Sequence, residues 1–425
     1  MTGLTLIIAV IGCLLVLFLK PIQGLIVYVI LSMWYPYAIG TVSLGTIDFS
    51  AGRIVTIVLF AKIFFNTNLA ANFKFVLLDK LVIILFVAEV VAGVTTTEFM
   101  DLVEYRAGDF FDMALPYFAV RLIIVDKNKF ITLLKSIAWS AGILAIFAGF
   151  ESITGNNLLR LGRVLLFPEI RMAVFHRAQT TFRHAIYYGV FSATAAALCV
   201  GLFKNIKKEE FCYKFLVILI FLGCFFSMSS GGLLTMAGAL SFIYFFRYRY
   251  YWKNVIIGII IMCAVVEVLS NRHFYDVIDR FCFNSATAWY RARLFEVAFF
   301  EGGMSGHWIF GYGFEDPMWG LKIDMRHHTD MVNHYLLELC RYGFIGFIPF
   351  IAVIITAIKS LFTGFWSIKN DSDRWLVWCV AASLFGVLLA FNSVSLFEFP
   401  MTILFMMFGF CVAVPNIAKR KQISK

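Results

Sequence analysis

Charge is what this chain has least of: Asp, Glu, Lys and Arg supply only 15% of its 425 residues, and 61% are hydrophobic. A soluble domain carries about 25% charged residues. The mean hydropathy of +0.86 points the same way. Too few polar residues are present to cover a water-surrounded globule, which excludes that class. There is no CxxC among the nine cysteines, and most of them lie in apolar runs as small hydrophobes, so zinc and thiol-redox chemistry are not expected. The first apolar run, Thr5–Leu19, lacks a basic flank and an A-x-A-like cleavage site. It reads as a retained helix, not a signal peptide. No H-E-x-x-H or EF-hand pattern occurs, so no metal is expected. Nor is there an internal repeat of the kind many transporters show.

What is present is a series of apolar runs, each near the roughly 20 residues that a spanning helix needs. They predict an all-α, polytopic transmembrane protein of 12–13 spans, at about 3–19, 22–35, 50–65, 81–94, 110–125, 131–150, 185–203, 213–229, 231–246, 255–269, 335–357, 375–392 and 396–414. The chain divides into helices with an outer loop at 151–184 (1–269), a large outer loop (270–334) and C-terminal helices with a tail (335–425). The 110–125 segment carries Asp112 and Pro116 and reads as a candidate re-entrant piece. The turn at 227–232 is too short for a free loop and is expected inside the membrane, buried in protein.

Lysines such as Lys20, Lys62, Lys127, Lys204, Lys253, Lys359 and Lys419 fall in alternate connections. Positive-inside bias assigns these to the cytoplasm with the C-terminal tail, and accounts for most of the net charge of +10 without nucleic acid. An odd span count then leaves the N-terminus outside.

In the two long outer connections lysine almost disappears, Lys322 being its sole example, while arginine remains. Arg160, Arg163, Arg171, Arg177 and Arg183 lie in one; Arg272, Arg280, Arg291, Arg293 and Arg326 lie in the other. Bidentate recognition of phosphate or carboxylate suits Arg's planar fork and not Lys. Pairing with loop acids such as Glu169, Glu296, Glu301 and Asp324 accounts for some of these arginines, leaving a subset for anion binding.

Three stretches carry the candidate chemistry. Ala288–Phe300 predicts a helix with Tyr290, Leu294 and Val297 on one face. Arg291 and Arg293, two apart, then point to different sides, and Arg293 has Glu296 at i+3 as a partner. His334, Glu338 and Arg341, spaced i, i+4, i+7 at the start of a span, share one helix face and are functional candidates there. Arg171, His176, Arg177, Arg183 and His184 gather before another span, where basic groups can meet a lipid head group or a pyrophosphate. His327, His328, Asp324 and Asp330 resemble metal ligands only by composition, Gly311 and Gly313 suit a tight turn, and the acids from Glu98 to Asp112 read as a solvated loop.

Phe182-Arg-His-Ala-Ile-Tyr-Tyr-Gly189, Tyr290-Arg-Ala-Arg-Leu294 with Gly311-Tyr-Gly313, and Asn333-His-Tyr-Leu with Gly343-Phe-Ile-Gly346 occur in that order across residues 170–350. In these places the chain resembles the O-antigen ligase and polysaccharide polymerase superfamily of bacterial envelopes, with its "F-x-H-P-I-x-x-G", "R…G-x-G" and "(H/D)-N-x-Y-L…G-x-x-G" patterns. Ala185 stands where proline is usual, and Val332 stands where ligases often carry His, with His334 two residues on. The second departure tilts the resemblance toward polymerase.

The resemblance implies an enzyme of the bacterial inner membrane, without metal or cofactor. It would transfer a glycan from an undecaprenyl-pyrophosphate-linked oligosaccharide to a sugar hydroxyl on the outer face. Implied partners are membrane lipids and the chain-length regulator and flippase proteins of such systems. Arg183 with Arg291 or Arg293, together with Arg341 and His184, would hold the pyrophosphate. His334 would serve as base or phosphate ligand, oriented by Glu338. An O-antigen ligase and a lipid-linked oligosaccharide flippase are the alternatives.

Overall fold

Apolar runs become helices in the computed structural model, which describes residues 2–36, 40–44, 47–66, 69, 73–160, 170–171, 175–269 and 285–423. Arg163, Arg272 and Arg280 lie outside these residues. Three N-terminal helices, α1 (Thr2–Phe18), α2 (Pro21–Trp34) and α3 (Ala51–Phe64), pack on one another, with a two-stranded hairpin (Val42–Leu44, Ile47–Phe49) before the third. Then come α4 (Leu77–Val94), α5 (Phe99–Asp109), α6 (Leu115–Ile123) and α7 (Lys127–Thr154). Next are α8 (Ala185–Val200), α9 (Glu210–Phe226), α10 (Ser230–Phe245) and α11 (Trp252–Leu269). Past 284 follow α12 (Ser285–Phe299), the short α13 (Gly320–Ile323), α14 (His334–Ser367), α15 (Asp371–Ala390) and α16 (Phe399–Ile423).

Two helices form the interior. α8 is rich in alanine and buried at every position except Ile186 and Tyr187. Its small side chains let α7, α9, α10 and α15 approach closely. The tightest approach is to the 227–232 turn, where Gly232 lies so near Gly189 that a Cβ on Gly232 would fall 2.8 Å from the Gly189 backbone. Ser227 and Ser229 are buried there, as expected of a turn enclosed in protein. α16 is likewise buried from Pro400 to Pro415, against α6, α14 and α15.

Helices at the periphery show the reverse. α11 buries no residue, yet Ile256, Ile257, Ile259, Ile260 and Ile261 are all about half exposed. An apolar stripe on that scale suits hydrocarbon and would be costly in water. Five helical stretches, Lys127–Thr154, Ser230–Leu269, His334–Ser367, Asp371–Ala390 and Phe399–Ile417, are long and apolar enough to cross a bilayer. The remaining apolar helices are shorter, including Gly3–Phe18, Pro21–Trp34 and Ala185–Val200.

The lysine-bearing connections meet at one end of the bundle. Lys204 and Arg249 pair with Asp371 at 3.0 and 3.6 Å, Lys127 pairs with Asp373, and Lys135 with Glu209 at 2.7 Å.

Two expectations change. Of the acids expected in a solvated loop, Glu98, Asp101 and Glu104 are exposed, but at the start of a helix, and Asp109 and Asp112 are not exposed. Helix runs from Phe99 to Ile123, joined by a π-turn at Phe110–Ala114, and folds Asp109 and Asp112 inward onto Arg106 and Arg53. The segment at 110–125 thus continues that helix through the π-turn. The second change concerns the 335–357 span, which extends to Ser367 and is broken near its start. Gly343 has φ +55° and ψ −160°, a conformation open essentially only to glycine.

Residues 308–313 insert into that break. Tyr312 and Gly313 N–H donate to the carbonyls of Cys340 and Arg341 (2.7 and 3.0 Å), while Phe344 and Ile345 N–H donate to Trp308 and Ile309 (2.8 and 3.2 Å). The helix groups freed by the break therefore stay paired. Gly311-x-Gly313 is a turn that docks on α14. A Cβ on Gly343 would sit 2.3 Å from the Ile309 oxygen. Gly343→Ala should accordingly lose about 3 kcal/mol or more, measured as thermal unfolding of the purified chain in detergent. An unchanged midpoint would mean that the break does not need glycine.

Candidate functional site

Residues 99–109, 285–334 and 392–398 converge at the broken helix. The predicted helix at 288–300 forms as α12, with Leu294 and Val297 fully buried. They join Met304, Trp319, Leu336 and Leu339 in a small apolar cluster that seats the 285–334 segment on the first two turns of α14. Asn333 caps α14, its side-chain oxygen accepting from Leu336 N–H at 3.0 Å. His334, Glu338 and Arg341 all precede the break at Gly343, so the i, i+4, i+7 face survives intact.

Along that face exposure rises toward Arg341. His334 is 2% exposed, packed on the rings of Phe391 (4.3 Å) and Phe350 (5.8 Å). Leu396 N–H points at its Nδ1 (3.4 Å), which leaves the proton on Nε2, 3.7 Å from Glu338. His334 holds the 391–396 segment against α14 through this contact and faces Glu338. Glu338 is buried as well, with one carboxylate oxygen lacking a hydrogen bond.

Arg341 differs. Its guanidinium lies over Phe314 (5.2 Å) and Phe397 (5.3 Å), on the wall of a 270 Å³ cavity that also takes in Asp330, Glu315 and the docked Gly313 turn. Among the described residues no carboxylate lies within 4 Å of it. Arg106, by contrast, is buried and held by acids. It pairs with Glu89 on α4 and Asp109 on its own helix, and donates to the Tyr342 hydroxyl on α14. Phe314, stacked on Tyr105 at 3.9 Å, is held beside both arginines.

On the other side of the short 392–398 connection lies a second cavity of 310 Å³. Phe397 lines the first and Glu398, the next residue, the second. Arg53 and Asp112 close one wall, joined at 2.7 and 3.0 Å. Arg183 approaches Glu398 from the entrance to α8, at 3.9 Å. Burial pushes the Glu398 carboxyl up to about 7, with Asp112 adding repulsion, against the pull of Arg183, Arg160 and Arg53.

The other predicted residues divide. His184 caps α8, its Nδ1 accepting from Ile186 N–H at 3.2 Å. Arg291 is 4% exposed and donates to the Ser393 carbonyl at 2.8 Å, tying α12 to the 392–398 connection. Arg293 is not brought to the site: its guanidinium is held by Glu296 (2.9 Å) and Glu301, on the far side of α12. Arg160 and Arg177 are structural. Arg160 bonds the Gln179 side chain and the carbonyls of Thr180 and Phe182, while Arg177 reaches the Ser227 carbonyl. Glu151 accepts from Gln179 and Thr180 N–H (3.1 and 2.8 Å), so the irregular 177–184 segment is sewn in on both sides.

Sequence reasoning passed over Arg53, Glu89, Arg106 and Glu398. The available signal was that each is an ionisable residue inside or at the edge of an apolar run, which is costly without a partner or a task. Neither a known protein family nor a curated protein matches the chain.

Proposed function

We propose that this chain is a metal-independent polysaccharide polymerase of the bacterial inner membrane, a polytopic protein whose Arg341 cleft faces outward and takes an undecaprenyl-pyrophosphate-linked oligosaccharide. The observation that carries this reading is a single arginine, Arg341. It lies over two aromatic rings in a cavity, with no carboxylate within 4 Å among the described residues, where several connections meet a broken helix. A guanidinium so placed suits a multiply charged phosphate ligand, which it can grip bidentately. Arg183, at the neighbouring helix entrance, supplies a second cation.

In the reaction, an acceptor sugar hydroxyl attacks the anomeric carbon of the donor glycan. The new glycosidic C–O bond forms as the bond from that carbon to the pyrophosphate oxygen breaks, its electron pair leaving with the phosphate. The hydroxyl proton passes to a base. Because the leaving group is an anion already, the protein's main tasks are to offset its growing charge and to align the two sugars. Arg341 and Arg183 serve the first task. His334, Glu338 and Arg291 hold the 391–398 connection that borders both cavities, and serve the second.

The test is deletion of the gene in its host, with envelope polysaccharides resolved on a gel and the wild-type gene returned. Loss of the long ladder with a single repeat unit retained on its acceptor is expected. Polymer stranded on the lipid carrier would mean a ligase instead. Repeat units trapped on the cytoplasmic side would mean a flippase, and an unchanged ladder would overturn glycan transfer altogether.

A further inference from the structure

Resting on the glycan transfer proposed above, we infer that the 310 Å³ cavity beneath Glu398 receives the terminal sugar of the acceptor glycan, and that Glu398 takes the proton from its attacking hydroxyl. The lining chemistry is that of a carbohydrate site. Ser32, Tyr35, Ser50, Thr181 and Thr402 bring hydroxyls to its wall, Arg53 and Asp112 bring a charged pair, and Phe182 and Phe399 bring ring faces. Hydroxyls that both donate and accept match a polyol, and aromatic faces match the C–H side of a sugar ring. The volume stands at the lower end of the roughly 300–1,000 Å³ typical of small-molecule sites, room for a sugar unit and not for a long chain.

Within this lining the two carboxylates differ. Asp112 is bound by Arg53 through two hydrogen bonds, which fixes it as a wall. Glu398 is about one-third exposed, accepts no side-chain hydrogen bond among the described residues, and has its nearest cation, Arg183, at 3.9 Å. Its lone pairs are open to a ligand.

The backbone around it is tightly constrained. Glu398 has φ +59° and Thr180, beside the same cavity wall, has φ +53°, conformations that non-glycine residues adopt mainly where a site demands them. The preceding residue, Phe397, packs on Arg341 in the other cavity. One step along the chain therefore separates the proposed base from the ring packed on Arg341, so acceptor and leaving group would approach the reacting carbon from opposite sides of this connection. The charged groups facing Glu398 are Arg183, Asp112, Arg160 and Arg53, with Tyr187 also close, and its carboxyl titrates at about 7. A base of that strength is half ionised near neutrality, where proton transfer is most effective.

The experiment uses the full chain in lipid nanodiscs, with lipid-linked repeat units isolated from the deletion strain as substrate and undecaprenyl pyrophosphate as the binding probe. Glu398→Gln should lower polymer formation by about 100-fold or more while undecaprenyl pyrophosphate binds as it does to wild type. Wild-type activity should rise through about pH 7, because the carboxyl must lose its proton to act, and that limb should vanish in Glu398→Gln. Glu398→Asp, which keeps the charge, should recover part of the rate. Thr41→Trp, on the half-buried rim, should fill the cavity and stop polymerisation without weakening the probe, and it tests the cavity should Glu398→Gln fail to fold. Full activity in either Glu398→Gln or Thr41→Trp would overturn this inference, as would parallel loss of probe binding. If wild type makes no polymer from these units, the polymerase reading itself fails.

Discussion

Arg341→Ala is expected to cut polymer formation by about 100-fold or more and to weaken undecaprenyl pyrophosphate binding in parallel. The effect is large because Arg183, the second cation, sits toward Glu398 and the other arginines around Arg341 are engaged. Arg106 is held by Glu89, Asp109 and Tyr342, Arg291 by the Ser393 carbonyl, and Arg293 by Glu296 and Glu301. Arg341→Lys should recover little, since an ammonium neither forks onto two phosphate oxygens nor lies flat on Phe314 and Phe397. Arg293→Ala serves as the control and should leave both readouts as in wild type. Thermal unfolding of each variant separates lost chemistry from lost packing. Wild-type polymer from Arg341→Ala would remove this residue from the anion site.

The second large effect is expected at Arg106, on stability. Arg106→Met keeps much of the side-chain volume but leaves Glu89 buried, and Asp109 half-buried, without their cation. Removing one partner of a buried ion pair typically costs about 3–5 kcal/mol, because the orphaned charge stays desolvated. The loss should appear as a lower unfolding midpoint in detergent. Adding Glu89→Gln should restore part of it by neutralising one of the orphans. An unchanged midpoint in Arg106→Met would mean that water or a neighbouring group already solvates these carboxylates. Since Arg106 also reaches Tyr342, one residue before the break in α14, its loss should loosen the Arg341 turn and lower activity secondarily.

Local patterns in the sequence carried the helices and several of their faces. The spacing of Leu294 and Val297 announced the buried side of α12, because helical periodicity is a property of neighbouring residues. The pairing of Arg293 with Glu296 was legible for the same reason. His334, Glu338 and Arg341 were legible as one face, yet not as three different environments. Whether a side chain on that face is sealed or open depends on Phe391 and Leu396, which lie more than fifty residues downstream. Nor could Gly311-x-Gly313 be read as the plug of a helix break, since the partner carbonyls at Cys340 and Arg341 come from another element.

By itself, then, the amino-acid order determined an apolar, mainly helical chain, the segregation of lysine from arginine between alternate connections, and the candidate face at 334–341. These follow from composition and from short-range periodicity, which need no long-range contact to be expressed. The tertiary structure alone decided which arginines are spent on acids and carbonyls, and that Arg341 faces a cavity without such a partner among the described residues. It also brought Arg53, Asp112 and Glu398 from three distant segments to one wall. Ionisable groups in a low-dielectric interior are defined by their partners, and those partners are chosen by packing across the whole bundle.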